Sequence, residues 1–379
     1  MIVELLAICA RDVGTEQMYR LLHSQLHKFA GQNPSWEELI ARAEHHGLAP
    51  LFLKHVQALG YPLPRKVRLV LQSLALRSGQ AARIRNEAVA GILRLCQAEN
   101  IEVITAKGIA LASFLYSQPG LRPMRDVDLL VGEADLPKMQ AILGELGYTP
   151  EVREDIPEDY YHLVPMARKV EGMVITIEVH RNLLPYHREY PAWPLERSLG
   201  ASLPVAIGGV RARTLCLEDM LRHLYLHGLR APLTYEPYRL IHLADIMTLV
   251  EQRYEQIDWD RVREDFPAVQ RVLSAFHCLT PWTDSVVQHL NLNLATAPDQ
   301  PGMGYHGWPR RRPQAGNFME LPGLIRDTFI PSQWWMQIYY GCLPGQGLMR
   351  ARWVDHPLML YRWLKAFRLQ AEKAGKFGR

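Results

Sequence analysis

The chain has 379 residues, of which 48% are hydrophobic and 22% charged, and its formal net charge is +4. This length allows one large or two medium domains, and the composition is that of a globular protein rather than a disordered or fibrous one. Charges interrupt every apolar run well before about 20 residues, so we expect no membrane span. The five scattered cysteines form no CxxC pair, which argues against a zinc site or a disulfide framework and favours the cytoplasm.

Residues 1–99 predict a helical N-terminal subdomain. The opening run from Met1 lacks the basic n-region of a secretion signal and is expected to be a helix. Ser35 followed three residues later by Glu38 is a capping-box pattern, which predicts a helix running toward His46. After Pro64, apolar residues recur at helical intervals and predict a long helix. Since no cluster of chemical groups occurs here, we expect this region to pack against the mixed core that begins near residue 100.

Residues 100–210 predict a mixed core of strands and helices. Strands are expected at 101–105, 127–131, 160–166 and 174–180, and the last two are expected to form a hairpin around Glu171-Gly172. Helices are expected at 109–116 and from about Asp135 to Gly144 or Gly147. The predicted fold class is therefore α+β, with a small mixed β-sheet embedded between helical N- and C-terminal regions.

The remainder of the chain predicts a helical subdomain at 211–296 and a basic, aromatic C-terminal segment at 297–379. The stretch 297–317 is rich in Gly and Pro and is expected to be a linker or surface loop. From Pro301 onward twelve Lys/Arg and four Asp/Glu give a net charge of +8, which leaves −4 for the preceding part. Such a basic segment suits either a polyanionic partner or a solvated face. We expect Trp353, Tyr361 and Trp363 to be buried against neighbouring helices.

Two acids lie on one predicted strand. Alternate side chains of a strand share a face, so Asp126 and Asp128 point the same way while Val127 and Leu129 point into the core. Two adjacent carboxylates repel each other unless a cation lies between them. Mg²⁺ prefers oxygen ligands and commonly combines one or two carboxylates with substrate phosphates. The pair therefore predicts a magnesium site, and two solvated acids at the end of a strand are the alternative.

A third acid lies on the polar face of a later predicted strand. In the run 174–180, Glu178 and His180 alternate with apolar residues. If this strand lies beside the Asp126 strand, Glu178 completes a three-acid cluster that allows two metal ions. The alternatives are an exposed strand residue with an ion-pair partner for Glu178 and a structural histidine for His180.

The segment between the first two strands offers groups for binding phosphate. Gly108, between a strand and a helix, would let backbone N–H groups approach phosphate oxygens. Lys107 would add a positive charge against a triphosphate. Arg122 and Arg125, next to the acids, would neutralise charge on a leaving pyrophosphate.

The run from 106 to 131, AKGIALASFLYSQPGLRPMRDVDLLV, resembles the signature of the uncharacterised bacterial nucleotidyltransferase family, within the DNA polymerase β-like superfamily. The matching features are a Lys-Gly turn, a tyrosine, Arg-Pro-Met, an Asp-x-Asp pair and Leu-Leu-Val: Lys107, Gly108, Tyr116, Arg122, Pro123, Met124, Asp126, Asp128 and 129–131. The later IEVHRNL resembles the acid-x-His segment of the family, which assigns the third acid to Glu178 and its companion to His180. The likeness covers residues 1 to about 290.

The resemblance implies a metal-dependent enzyme that moves a nucleoside monophosphate from an NTP, with ATP the expected nucleotide, to an unknown hydroxyl or phosphate acceptor (small molecule, peptide or RNA). The three acids would be catalytic and hold Mg²⁺, as one or two ions, with Mn²⁺ as a substitute. The residues expected to contact the nucleotide are Lys107, Gly108, Arg122, Arg125 and His180.

Two other functions stay open from the sequence. Many superfamily members have Gly-Ser at the turn, whereas Ile109 follows Gly108 here. This departure motivates a nucleotide-binding regulatory module with little or no catalysis. The basic, aromatic C-terminal segment instead motivates an RNA-modifying nucleotidyltransferase, because stacking side chains among cations suit nucleic acid.

Overall fold

A computed structural model describes residues 1–151, 160–184, 192–230 and 239–294, together with parts of the segment 322–365. Helices and a single seven-stranded mixed sheet make up the described chain, which confirms the predicted α+β class. The predicted linker at 297–317 lies outside the described residues. Among the described residues, no helix combines the length and apolar character that a bilayer crossing requires.

The first hundred residues are helical, as predicted. The Ser35 hydroxyl accepts a hydrogen bond from the Glu38 N–H (3.1 Å), so the predicted cap begins the third helix. Pro64 precedes the long fifth helix, whose buried residues follow the predicted helical spacing. The helices are α1 (Ile2–Ile8), α2 (Glu16–Ala30), α3 (Trp36–His45), α4 (Ala49–Ala58) and α5 (Arg65–Ala98).

The sheet has the strand order β3-β4-β5-β2-β1-β7-β6. Strands β2 and β5 are parallel neighbours, and β1 lies antiparallel to β2 on its other side. The first strand runs directly into helix α6, and α7 follows β2 after a short 3-10 turn. The elements are β1 (Val103–Ala106), α6 (Lys107–Phe114), β2 (Asp126–Val131), α7 (Leu136–Glu145), β3 (Thr149–Pro150), β4 (Met166–Val170), β5 (Met173–His180), β6 (Leu203–Ile207) and β7 (Val210–Thr214).

One strand prediction was wrong. The expected strand at 160–166 begins only at Met166, and within its first part His162 alone forms a bridge, to His180. The predicted turn explains the shift: Glu171 and Gly172 both have positive φ (47° and 81°). Such a two-residue turn joins strands that pair immediately on either side of it. The arm before the turn must therefore end at Val170.

A second hairpin was missed by sequence analysis. Strands β6 and β7 pair antiparallel around Gly208-Gly209, both with positive φ, and β7 joins the sheet beside β1. The sheet thus continues to Thr214, beyond the predicted end of the core at residue 210.

The described chain between β7 and residue 294 is mainly helical, as predicted for residues 211–296. Two buried cores hold the molecule together. One lies between the sheet and helices α5, α6 and α7, and the other joins helices from the two ends of the chain. Within the described residues, the helices after β5 are α8 (Leu195–Leu199), α9 (Leu217–Gly228), α10 (Leu240–Arg253), α11 (Trp259–Asp265), α12 (Pro267–Phe276), α13 (Asp284–Leu290), α14 (Gln333–Tyr340) and the short α15 (Leu348–Arg350), which continues as a π-helical turn (Ala351–Asp355).

Arg11 ties the N-terminal helices to the later ones. Its fully buried guanidinium donates to the Glu251 carboxylate (2.6 Å) and to the Thr280 hydroxyl (2.6 Å). A buried cation needs such partners, since an unpaired one destabilises a fold by several kcal/mol. Sequence separations of 240 and 269 residues place this contact beyond the reach of local patterns.

The C-terminal aromatic residues divide into two groups. Trp334, Trp335 and Tyr339 of α14 are buried. Trp353 and Tyr361 are instead 67% and 64% exposed, so the expectation that they are buried was wrong. Both lie in the helical segment after residue 347, where the described chain buries little besides Ala351, His356, Met359 and Leu360. The side chain of Trp363 lies outside the described residues.

Buried His55 predicts a loss of stability in acid. Its Nε2 contacts the Arg11 carbonyl (2.8 Å) and its Nδ1 contacts the Tyr19 hydroxyl (3.2 Å), and burial lowers its pKa to about 4. Below the unfolded pKa of about 6.5 the unfolded chain takes up a proton that the folded chain does not. The stability from neutral His55 is therefore full above pH 6.5 and is lost as the pH falls toward 4.

We expect the free energy of unfolding in urea to fall between pH 6.5 and pH 4.5, with His55 contributing up to about 1.4 kcal/mol per pH unit. The His55→Gln variant should show a shallower slope over that range. Equal slopes in the two proteins would contradict this account.

Candidate active site

The centre of the site is a pair of carboxylates on adjacent parallel strands. Strand register places Asp128 of β2 directly opposite Glu178 of β5. Val127 and Leu129 are buried in the core on the other face, so the period of two turns both acids to the same side. The sequence prediction required these two strands to be neighbours, and they are.

Lys107 supplies the nearest positive charge. It follows β1 and adopts a left-handed backbone conformation, with φ of 48°, at the start of α6. Its ammonium group contacts Oδ1 of Asp128. Burial alone would lower the pKa of Lys107, but its hydrogen bond to Asp128 and the charges of Asp128, Asp126 and Glu178 together raise it. The lysine thus stays charged beside the acids.

His180 contacts both acids. Its Nε2 lies 2.8 Å from Oδ1 of Asp128 and 3.6 Å from Oε2 of Glu178, and the ring is completely buried. Burial would lower the pKa of His180, yet its hydrogen bond to Asp128 and the nearby Glu178 carboxylate together raise it. In return, the charge of Lys107 and the hydrogen bond from His180 overcome burial and hold the pKa of Asp128 well below its usual range.

These side chains suit a divalent cation. One ligand atom from each of Asp128, Glu178 and His180 lies within 4.8 Å of the others. Carboxylate oxygens fit Mg²⁺, and an added imidazole nitrogen also suits Mn²⁺ and other transition metals. A cluster of two acids next to a lysine and a histidine is therefore a chemically suitable donor set.

Asp126 lies at the edge of this cluster rather than in it. It occupies the same face of β2 two residues earlier and pairs in register with Thr176, outside the three-residue group. Burial and the charge of Asp128 both raise the pKa of Asp126. Its role as a metal ligand stays a prediction.

Gly108 and Arg122, both predicted to contact phosphate, lie against each other in the protein interior. Gly108 is buried, and a Cβ on it would contact Nη1 of Arg122 and the side chain of Met124. Arg122 is itself buried and pairs with Asp245 of α10, at 2.8 Å from Nη2 and 3.2 Å from Nε. The glycine thus makes room for a buried ion pair. Contacts of these two residues with a nucleotide stay predictions.

The Gly108→Ala substitution should destabilise the protein by about 1–3 kcal/mol, because the added methyl group overpacks the contact with Arg122. Urea unfolding would measure this. Gly144→Ala is the matched control: Gly144 lies in α7 with nothing within 4 Å of a Cβ, so alanine there should stabilise by about 0.5–1 kcal/mol. Equal effects at both positions would contradict the packing role of Gly108.

Arg125 is exposed at the beginning of β2, next to Asp126. A contact between Arg125 and pyrophosphate stays a prediction.

Sequence analysis missed an aromatic and imidazole layer around His180. The rings of Tyr161 and His162 lie 5.6 and 5.3 Å from that of His180. His223 and His227 of α9 stack at 5.7 Å, and burial lowers the pKa of His223 to about 3. The spacing of four residues on one helix places both histidines on one face. Their proximity to the acids follows only from the fold.

The chain belongs to a family described as uncharacterised nucleotidyltransferase, whose model matches residues 32–279. The match includes β1, β2 and β5 and hence every residue of the candidate site.

Other similarities cover part of the chain. It is 24% identical over 193 residues to the protein dom34 of Schizosaccharomyces pombe, a match to 51% of this chain and 40% of that protein. A crystal structure of ANT(2")-Ia in complex with adenylyl-2"-tobramycin is similar at a TM-score of 0.34, with 15% identity over 49% of this chain and 97% of that one. A nucleotidyltransferase-like protein from Paracoccidioides brasiliensis is similar at a TM-score of 0.32, with 16% identity over 54% of this chain and 96% of that one.

Proposed function

We propose that the protein transfers a nucleoside monophosphate from an NTP, with ATP as the first nucleotide to test, to an acceptor hydroxyl or phosphate and releases pyrophosphate. The observation that supports this most is the placement of Asp128 opposite Glu178, with Lys107 against Asp128, inside the region that matches the family. Two carboxylates with one cation beside them suit a metal-bound triphosphate.

The residues of the site have distinct parts in the proposed reaction. Asp128 and Glu178, with Asp126 beside them, would hold the divalent ion, and His180 fixes the orientation of Asp128 through its hydrogen bond. Lys107 provides positive charge for the triphosphate. The bound divalent cation would neutralise phosphate charge and acidify the attacking hydroxyl.

Glu178 is the proposed base. Burial would raise its pKa, but the contact with His180 and the positive charges of Lys107 and His180 together lower it, so the carboxylate is ionised at neutral pH. The acceptor oxygen forms its bond to the α-phosphorus and gives its proton to Glu178. The bond from the α-phosphorus to the bridging oxygen breaks, and its electron pair leaves with pyrophosphate.

Incubation of the protein with α-³²P-labelled NTPs, Mg²⁺ and a cell lysate tests this function. We expect label to enter an acceptor together with release of pyrophosphate, and both to stop on addition of EDTA. Nucleotide binding in calorimetry without any release of pyrophosphate would instead favour the regulatory module.

A second candidate, an RNA-directed enzyme, is favoured by one cavity. It has a volume of about 550 Å³ and adjoins the exposed aromatic segment. Trp353 and Tyr361 of that segment are available for stacking on bases. The cavity is lined by four arginines: Arg230, Arg271, Arg350 and Arg362.

If RNA binds there, a tRNA probe should bind with an affinity that falls steeply with salt. The double variant Arg271→Gln/Arg350→Gln should reduce the slope of log K against log salt by about 2. Both side chains are exposed, so the fold should be unaffected. An unchanged slope would leave a small molecule or a peptide as the preferred acceptor.

A further inference from the structure

A second cavity lies next to the candidate site. It has a volume of about 620 Å³, within the range of about 300–1,000 Å³ typical of small-molecule sites. Pro123 and Met124, which lead into Asp126, form one wall, and Glu171-Gly172 of the β4–β5 turn forms another. The cavity therefore opens beside the beginnings of β2 and β5, the two strands that carry the acids.

Arg85 of α5 lines this cavity and is buried, with 8% of its surface exposed. Its Nε is buried without a hydrogen-bond partner. In the described part of the chain, no carboxylate lies within ion-pair distance of its guanidinium. Burial lowers the pKa of Arg85, and the charge of Asp126 opposes this shift from a longer range.

Neighbouring arginines show what a paired guanidinium looks like in this protein. Arg77 lines the same cavity and pairs with Glu44 at its rim, and buried Arg122 pairs with Asp245. Buried charges are normally paired, because an unpaired one is strongly unfavourable. Arg85 lacks such a partner, so its counterion is expected to come from outside the described chain.

The rest of the wall is largely apolar. It suits the body of a small organic molecule more than a bare ion. The apolar and small lining residues are Ala49, Pro50, Leu74, Ala81, Ile84 and Met173.

We infer that this cavity is a substrate subsite in which Arg85 binds an anionic oxygen group, a phosphate or a carboxylate, while the apolar wall contacts the body of the same molecule. The inference rests on the proposed function, since the cavity adjoins Asp126. The anionic group belongs either to the NTP or to the acceptor. Arg85 is a binding residue in both cases.

Three variants test the inference. Arg85→Met removes the charge and keeps the length of the side chain. Ala81→Phe fills the cavity from the same helix without changing any charge. Arg94→Met is the matched control, because Arg94 is exposed on the same helix and lies outside the cavity.

Calorimetry with ATP and Mg²⁺, and labelling of a lysate acceptor, identify the source of the anion. If the NTP supplies it, Arg85→Met and Ala81→Phe weaken ATP binding by about 10- to 100-fold. If the acceptor supplies it, ATP binding is unchanged and labelling at limiting acceptor falls by a similar factor. Wild-type behaviour of Arg85→Met in both assays would overturn the inference.

Thermal unfolding separates this inference from the proposed function. Without ligand, the melting temperature of Arg85→Met should be no lower than that of the wild type, because the substitution removes an unpaired buried charge. A lower melting temperature would mean that Arg85 has a structural role and would overturn the inference. Millimolar pyrophosphate or phosphate without metal should stabilise the wild type and Arg94→Met but neither cavity variant. If the wild type neither binds NTP nor labels an acceptor, the proposed function fails. The anion test then decides the role of Arg85 by itself. A wild type that these anions do not stabilise would overturn the inference about Arg85.

Discussion

The Asp128→Asn variant should lose nucleotidyl transfer by about 10²- to 10³-fold or more, a range typical for removal of one essential electrostatic group. Asparagine keeps the size of the side chain but removes the charge that binds a cation. Oδ1 of Asp128 also contacts both Lys107 and His180, and its partners hold its pKa far below neutrality. The charge is therefore present at every pH at which the protein would be assayed.

Loss of the charge also weakens two buried hydrogen bonds, so activity must be compared in folded protein. Melting temperatures and circular dichroism at the assay temperature provide that check. Glu145→Gln is the matched control, because it removes one exposed carboxylate from α7, away from the site. A folded Asp128→Asn protein with transfer within about threefold of the control would contradict the assignment.

The Asp245→Ala variant should have the largest effect on stability, a loss of about 3–5 kcal/mol. Asp245 is completely buried and accepts hydrogen bonds from Arg122 at 2.8 and 3.2 Å and from the Tyr116 hydroxyl at 2.8 Å. Its removal leaves the Arg122 guanidinium buried without a counterion. Urea unfolding at neutral pH would measure the difference.

The Arg122→Met/Asp245→Leu double variant separates the ion pair from the packing around it. Apolar residues of similar volume often replace a buried ion pair at little cost, so the double variant should recover much of the stability lost in Asp245→Ala. If Asp245→Ala lowers the free energy of unfolding by less than about 1 kcal/mol, the ion pair contributes little to stability. That result would also remove the reason given for Gly108.

The sequence predicted those features that depend on local spacing. The period of two placed Asp126 and Asp128 on one face, and the capping box located the start of α3 at Ser35. The turn at Glu171-Gly172 was also found locally, although the strand before it was placed several residues too early. The fold class followed from the order of these elements.

Contacts between distant parts of the chain could not be read from the sequence. Arg122 was assigned to pyrophosphate because it precedes the acids, yet its partner Asp245 lies 123 residues away. Arg85 lies in a helix that showed no chemical signal, and only the fold brings its cavity next to Asp126. The contact of His180 with the nucleotide stays a prediction, but the position of its buried ring against both carboxylates depends on the fold. In each case tertiary packing decides the partner of a side chain whose own sequence neighbourhood is uninformative.

The most direct test of the account is a crystal structure with Mn²⁺ and a non-hydrolysable NTP, with anomalous scattering used to locate the metal. We expect an ion bonded to carboxylate oxygens of both Asp128 and Glu178, with the triphosphate on its open side and the Lys107 ammonium nearby. Two results would contradict the account: a bound nucleotide whose metal lies on other residues, or a bound nucleotide with no metal at Asp128, where Lys107 remains the cation in contact.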